Sequence, residues 1–402
     1  MLLTVLNTIV HYEGKRKSFM ALDFTFSPEH EAWRAHVRDF AQRELAPQSR
    51  RWDEEARLPR DAIRMMARAG VLGVIGDKAL GGQGRDYVSL GITIEELARA
   101  DVSSALIAWQ QATHAHFFPG WGQDTVRAVY AGECVIALAT SEENAGSDLS
   151  AVEVSAVQDG DHYLINGTKI HVSTVPGADV LAVSAKIPAP DGGKSKMVLL
   201  RVPTSLPGIS TSVMEQMGAR AHMLGEVKFD NVRVPLDATL GDAGAGKSIM
   251  YARFNVSRCL SPLAALGAAA AVLEETTDFA KKRIVFGRPI AMNQSISFPL
   301  VEHHAKVEAG RLLAYRALVA NDRGEDATAD AAMAKYFGIS TGVAVIQDCL
   351  QMFGANGYLK DNGIEQRLRD VYSFLFTGGT LNIMKLILVR HLLGAEYAGL
   401  RQ

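Results

Sequence analysis

The sequence predicts an α+β protein built in three blocks: a helical N-terminal part, a central β-domain and a helical C-terminal part. Three observations predict it. Apolar residues recur at helical spacing through the first third. From Cys134 to about Val234 the apolar runs become short, β-rich and bounded by turn residues. From Gly246 onward, three or four long Ala/Leu-rich segments return to the helical period. The expected divisions are 20–133, 134–238 and 239–402, with residues 1–19 a mis-called start or a disordered extension before Met20.

Ser27-Pro28-Glu29 reads as a helix start, with Ser as the cap and Pro at the first helical position. Trp33, Val37, Phe40 and Ala41 then recur on one face. A second helix runs from about Pro59 to Ala69 and stops at Gly70, and Gly81-Gly82-Gln83-Gly84 is a loop. Tyr87 to Ala100 and Val102 to Phe117 are apolar helices ended by Pro119-Gly120. In the middle block, Tyr163-Leu164-Ile165, Val180 to Val183, Met197 to Leu200 and Val227-Lys228-Phe229 read as strands. Asp159-Gly160-Asp161 and Asn166-Gly167 are turn signals, and Pro188 to Gly193 is a loop. No long helical pattern interrupts these runs, which predicts an antiparallel barrel or sandwich.

Composition bounds the function. The 402 residues carry 42 Lys+Arg against 44 Asp+Glu, a net charge of -2, which gives no basic field for nucleic acid. Cys134, Cys259 and Cys349 are far apart and odd in number, so neither a disulfide framework nor a metal knuckle is expected. The apolar run from Met1 to Val10 is too short to span a bilayer. Lys15, Arg16 and Lys17 follow it, the reverse of a secretory signal's order. A cytoplasmic protein without nucleic-acid or membrane partners is expected.

Two motifs are set aside. Gly241-Asp242-Ala243-Gly244-Ala245-Gly246-Lys247-Ser248 matches the phosphate loop of NTPases, but it follows five loop residues and an antiparallel pattern rather than a buried parallel strand. The pairs His114/His116 and His303/His304 lack a third ligand at sensible spacing, and no metal is expected.

The informative stretch runs from Val135 to Ser173. A short apolar strand leads into Ser141-Glu142-Glu143-Asn144-Ala145-Gly146-Ser147-Asp148, and a second segment reads Asn166-Gly167-Thr168-Lys169-Ile170-His171-Val172-Ser173. Such a loop offers hydroxyls and backbone N–H groups to a polar planar ligand. The two segments resemble the flavin-facing signatures Thr-Glu-Pro-x-Ala-Gly-Ser-Asp and Asn-Gly-x-Lys-x-Trp-Ile-Thr of the acyl-CoA dehydrogenase superfamily. His171 stands where that family has Trp. The resemblance extends from about Phe24 to the C-terminus, and Gly218-Ala219-Arg220 with Phe229 to Pro235 match the family's closing β-segment.

The resemblance implies FAD as cofactor. Ser141 and Ser173 keep hydroxyls that in the family bond the flavin, with Ser147 and His171 beside them. Lys282-Arg283-Ile284-Val285-Phe286-Gly287-Arg288-Pro289 with Gln294 resembles the Arg-x-x-Phe-Gly-x-Pro…Gln motif, and Gln351 to Tyr358, including Gly354, resembles Gln-x-x-Gly-Gly-x-Gly-Tyr. In the family these hold the pyrophosphate–adenosine half of FAD from a neighbouring subunit, so a homodimer or homotetramer is expected. Thr380 and Asn382 complete the implied cofactor set. Ser147, Asn255, Arg258 and Gly378 fall at implied substrate positions.

One part of the pattern is broken. Dehydrogenating a thioester requires a base for the α-proton. The family carries a Glu before Gly-Thr in the C-terminal arm, where this chain has Gly378, or before an Arg in the first helix after the β-domain, where it has Ser257-Arg258. The leading expectation is therefore an FAD enzyme acting on an acyl-CoA or carrier-protein thioester with O₂, an oxygenation of secondary metabolism, with His171, Ser257 and Arg258 at the reacting centre. One alternative is dehydrogenation with His171, Asp101 or Glu142 as base and electron-transferring flavoprotein as acceptor. Another is a catalytically silent subunit of a heterotetramer.

Overall fold

The computed structural model describes residues 25–175, 177–188 and 195–399; the expected extension over 1–19 lies outside them. The helical first block opens with α1 (Pro28–Phe40), whose cap Ser27 accepts from His30 N at 3.2 Å. Helices α2 (Ser49–Glu55) and α3 (Arg60–Arg68) follow. Then come α4 (Tyr87–Ala100) and α5 (Val102–Phe117), capped by Asp86 and Asp101, and the short α6 (Gln123–Tyr130). Apolar on nearly every face, α4 and α5 lie in the interior, and α5 is buried from Val102 to Ala115.

The central block is a seven-stranded sheet made of β1 (Ile136–Ala139), β2 (Ser155–Asp159), β3 (His162–Ser173), β4 (Val180–Ile187), β5 (Lys196–Pro203), β6 (Ile209–Met214) and β7 (Leu224–Pro235). The strand order is β1-β4-β2-β3-β7-β6, with β5 also paired to β4. Its pairing is not wholly antiparallel: β1 lies parallel to β4. Asp179 sets that register, because its carboxylate accepts from Val135 N at 2.7 Å and its own N–H donates to Val135 O at 2.8 Å.

The turn expected at Asn166-Gly167 is instead a bulge inside β3. Gly167 takes φ +128 where a Cβ would stand 2.8 Å from Val154 Cγ2, and Asn166 Oδ1 accepts from Asn231 N at 2.8 Å on the neighbouring strand. The dipeptide's turn chemistry was used to bend a long strand rather than to reverse it.

The last block is built on α7 (Gly246–Lys282), α8 (Gln294–Asp322) and α9 (Thr328–Met352), followed by α10 (Ala355–Tyr358), α11 (Ile364–Tyr372) and α12 (Leu381–Leu392). A small hairpin of β8 (Ile284–Val285) and β9 (Arg288–Pro289) joins α7 to α8. By length and composition α7 could cross a membrane, but 94% of its apolar window is buried inside the protein. Close approach to its neighbours relies on glycine. A Cβ at Gly338 of α9 would meet Pro262 Cβ of α7 at 2.6 Å, so α9 sits tight beneath α7 one turn from Lys335.

Candidate active site

The hydroxyl-rich loop is fixed from below. Ile170 N of β3 donates to Ser141 O at 2.9 Å, which ties the two signature segments together. Glu142 turns inward: its carboxylate accepts from Lys169 Nζ at 2.6 Å, Glu153 N at 2.6 Å and Val154 N at 3.1 Å. Lys169 also donates to Thr140 O and Ser184 Oγ. Burial draws the Lys169 amine down to about 8, and the bond to Glu142 opposes that drop. Glu142 is therefore a strut beneath the loop and cannot be the replacement base; its lone pairs are already engaged.

Above the strut the hydroxyls are free. Ser141 and Ser173 are half-buried and Ser147 is exposed, and none of the three hydroxyls has a partner among the described residues. His171 is exposed in the bulge between Lys169 and Val172, at φ +54, and its ring also has no partner among the described residues. Asp101, the other carboxylate candidate, is buried as the cap of α5, accepting from Ser104 N at 2.7 Å and Ser49 Oγ at 2.6 Å. Burial raises its pKa, but both oxygens hold structure in place. Asp101 is ruled out as a free base on the same ground as Glu142.

A second group of donors stands on the hairpin after α7. Arg283 begins it, Phe286 at its tip takes φ +50 and is fully exposed, and Gln294 opens α8. Phe279 stacks on Phe353 with centroids 4.2 Å apart, which ties the foot of the hairpin to the turn bearing Gln351 and Gly354. The side chains of Arg283, Gln294 and Gln351 are exposed and have no partner among the described residues. Thr380 caps α12, its Oγ1 accepting from Ile383 N at 3.3 Å, and Asn382 is exposed one residue into that helix. A free guanidinium with two free carboxamides suits a pyrophosphate, and three free hydroxyls on a rigid strand and loop suit a flavin ring edge. The donor set fits FAD.

The third group lines the seam where α5 and α7 run side by side. Trp109 Nε1 donates to Ser257 Oγ at 3.2 Å, and Arg253 Nε donates to Thr113 Oγ1 at 3.3 Å. Asn255 reaches α9 through Thr328 Oγ1 at 3.2 Å. Arg258 is 7% exposed; its Nη1 lies 3.5 Å from Asn255 Oδ1 and its Nε has no partner among the described residues. Burial lowers its pKa. Lys335, 1% exposed on α9, donates to the carbonyls of Thr377 and Gly379. Burial, then the charge of Arg258, draws its amine down to about 7. Gly378 adopts φ +66, and a Cβ there would stand 3.5 Å from Lys335 Nζ.

Ser257 and Gly378 thus flank one region, shared with Arg258. The hydroxyls of the flavin signature, the hairpin donors and this seam are three separate clusters within the chain. Lys335 and Arg253 were missed in the sequence. Lys335 left a readable signal: it interrupts a buried stripe of Ala331, Ala334, Gly338, Ile339 and Gly342 at helical spacing.

A helix–sheet–helix chain with these clusters has the architecture of a flavin-dependent acyl-thioester oxidoreductase. Three successive family profiles match: the acyl-CoA dehydrogenase N-terminal domain over residues 27–135, the middle domain over 137–232 and the C-terminal domain over 244–393. An acyl-CoA dehydrogenase of Bacillus subtilis (strain 168) is 33% identical over 368 residues, covering 90% of this chain and 97% of the relative. A 3-(aryl)acrylate reductase of Clostridium sporogenes is 32% identical, covering 92% and 99% respectively. The solved butyryl-CoA dehydrogenase of Megasphaera elsdenii superposes with a TM-score of 0.88 at 27% identity, over 92% of this chain and all of that one. The chain belongs to the acyl-CoA dehydrogenase family, whose cofactor is FAD.

Proposed function

We propose that this chain is an FAD-dependent oxidoreductase of acyl-CoA thioesters that exchanges a hydride between the acyl chain and the flavin, without a carboxylate base at either family position. The observation that carries this reading is the pairing of free flavin-facing hydroxyls with a seam lined by Ser257 and Gly378. FAD supplies a two-electron acceptor or donor next to the thioester. Ser141 and Ser173 orient the ring edge, and the α5–α7 seam excludes water from the acyl group. Arg258 and Lys335 lower the energy of negative charge that develops on the thioester when the α-proton leaves. Of the three candidate bases, His171 alone has a side chain with no partner among the described residues.

The named relatives, two dehydrogenases and a reductase, support hydride exchange. The oxygenation expected first from the sequence keeps one specific support, the missing carboxylate, and stands as the second reading. Mixing the flavin-bound protein with acyl-CoA in the absence of O₂ separates them. Hydride exchange bleaches the flavin and yields an enoyl thioester; oxygenation leaves the flavin oxidised. A chain that neither bleaches nor oxygenates by itself is a silent subunit.

We also infer that FAD is shared between two copies. Arg283, Gln294 and Gln351 cluster on the C-terminal block, whereas the hydroxyls stand on the β-domain. The exposed Phe286, Met292, Phe298 and Val301 around the hairpin and α8 form an apolar face suited to a second chain. Light scattering behind gel filtration tests it, and a monomer that retains full FAD contradicts it.

A further inference from the structure

Among the described residues, seven non-glycine residues take a positive φ, and four of them gather in one place. His171 (φ +54) and Thr174 (φ +63) flank Val172 and Ser173 at the end of β3. Ala219 (φ +52) and Met223 (φ +56) flank the short turn Arg220–His222, which leads into β7. Left-handed backbone is unfavourable for any residue with a Cβ, and most of all for a β-branched threonine, so each of the four has to be held by its surroundings. Strain of this kind collects where the geometry of a site must be fixed.

The two strained pairs hold each other. Thr174 is fully buried, and its N–H donates to His222 O at 3.1 Å and Met223 O at 3.0 Å. Ser173 pairs with Leu224 in the last rung between β3 and β7, so the turn sets where that ladder ends. The turn itself is fastened from outside the β-domain. Asp370 of α11, 1% exposed, accepts from Ala219 N at 2.6 Å. Its neighbour Arg369 donates to Met217 O at 3.0 Å and pairs with Asp53 of α2 at 2.8 Å. A Cβ at Gly218 would stand 2.1 Å from the carbonyl carbon of Arg369, so the loop lies directly on the backbone of α11. Leu58, just past α2, donates its N–H to Met223 Sδ at 3.0 Å.

We propose that Asp370 is a positioning residue for the flavin site: by holding the turn Arg220–His222 it fixes Thr174, and through Thr174 the direction of the Ser173 hydroxyl. This rests on the reading of Ser173 as flavin-facing and adds to it a residue of the C-terminal block. No charge is required of Asp370. Burial, with Asp101 and Asp53 nearby, pushes its carboxyl up to about 8, so at neutral pH it is mostly protonated and a carbonyl oxygen takes the Ala219 N–H. A carboxamide can accept the same bond, and a methyl group cannot.

The test reads the bound cofactor and the backbone rather than turnover. The flavin-bound protein and its variants are compared by visible circular dichroism, which reports the asymmetry around the flavin ring, and by hydrogen exchange of the fragment spanning residues 171–175. Asp370→Ala should change the dichroic band and speed exchange of the Thr174 amide by about tenfold or more, whereas Asp370→Asn should leave both as in the parent. Ala219→Gly in the Asp370→Ala background should recover both, because glycine holds a positive φ unaided, and this keeps the test intact if Asp370→Ala alone fails to fold. A double variant that recovers neither readout overturns the proposal. A merely structural role would lower the urea midpoint of Asp370→Ala with dichroism and exchange unmoved, which also overturns it. Ser173→Ala is the reference. If it leaves the dichroism unmoved, the flavin-facing reading of Ser173 fails and takes the proposal with it; if it moves the band while Asp370→Ala does not, the positioning role alone is refuted.

Discussion

Replacing Gly378 with Glu is the most revealing single change. At φ +66 the backbone favours glycine, and a side chain there costs roughly 1–2 kcal/mol. A Cβ would meet Lys335 Nζ at 3.5 Å, an ordinary contact, so the new carboxylate can form an ion pair with Lys335. At an effective dielectric of 20 the attraction at 4 Å is about 4 kcal/mol before desolvation and side-chain ordering oppose it. The two contributions nearly cancel, and unfolding stability should stay within about 2 kcal/mol of the parent. Function should move far more. A positioned carboxylate contributes on the order of 10²–10⁴ in rate, so anaerobic flavin bleaching by butyryl-CoA should accelerate by at least the lower figure. The assay is stopped-flow absorbance without O₂, alongside urea unfolding. A folded, flavin-replete variant with no acceleration would refute the placement of Gly378 beside the acyl α-carbon.

Three other predictions test the scaffold. Lys169→Met leaves Glu142 buried without its cation and should lower stability by about 3–5 kcal/mol in urea unfolding, with the double variant Lys169→Met/Glu142→Gln recovering part of the loss. Arg283→Ala should weaken FAD retention on gel filtration; unchanged flavin stoichiometry would contradict its phosphate role. Asp370 is buried and accepts from Ala219 N at 2.6 Å; burial, with Asp101 and Asp53 nearby, pushes its carboxyl up to about 8. Its folded pKa lies above the unfolded one near ~3.9, so its full contribution is present below that value and is lost as pH rises toward 8. Asp370→Asn should therefore gain on the parent between pH 5 and 8, by no more than roughly 4 kcal/mol at 1.36 kcal/mol per unit, read from urea midpoints.

Much of the architecture was legible because local signals agreed with the fold. Ser27 caps α1, and the apolar stretches from Tyr87 to Ala100 and from Val102 to Phe117 became α4 and α5 with those bounds. The strands at Tyr163, Val180, Met197 and Val227 were readable from β-branched runs. What failed were features set by distant partners. Asn166-Gly167 carries a turn's chemistry, yet Asn231 on the neighbouring strand holds it as a bulge. The parallel pairing of β1 with β4 depends on Asp179, forty-odd residues from the strand it clamps.

The site was legible to the extent that motifs carried it. The side chains of Ser141, Ser173, Arg283 and Gln351, picked out by motif, have no partner among the described residues. Sequence alone could not separate candidate bases from struts, because Glu142 and Asp101 look available until Lys169, Ser49 and Ser104 are seen bonded to them. The charge of the acyl seam was equally hidden. Arg253, Arg258 and Lys335 are more than 80 positions apart at the extremes, and only the packing of α9 under α7 brings Lys335 beside Arg258.

The central claim is that acyl-thioester chemistry here exchanges a hydride with FAD. The most direct test is a single anaerobic mixing of the flavin-bound protein with each of a series of straight-chain acyl-CoA thioesters, followed by mass analysis of the product. The account predicts loss of the oxidised flavin's visible absorbance and an acyl product two hydrogens lighter. Flavin that stays oxidised in saturating thioester, with product appearing only when O₂ and a reductant are supplied and carrying oxygen from O₂, would contradict it.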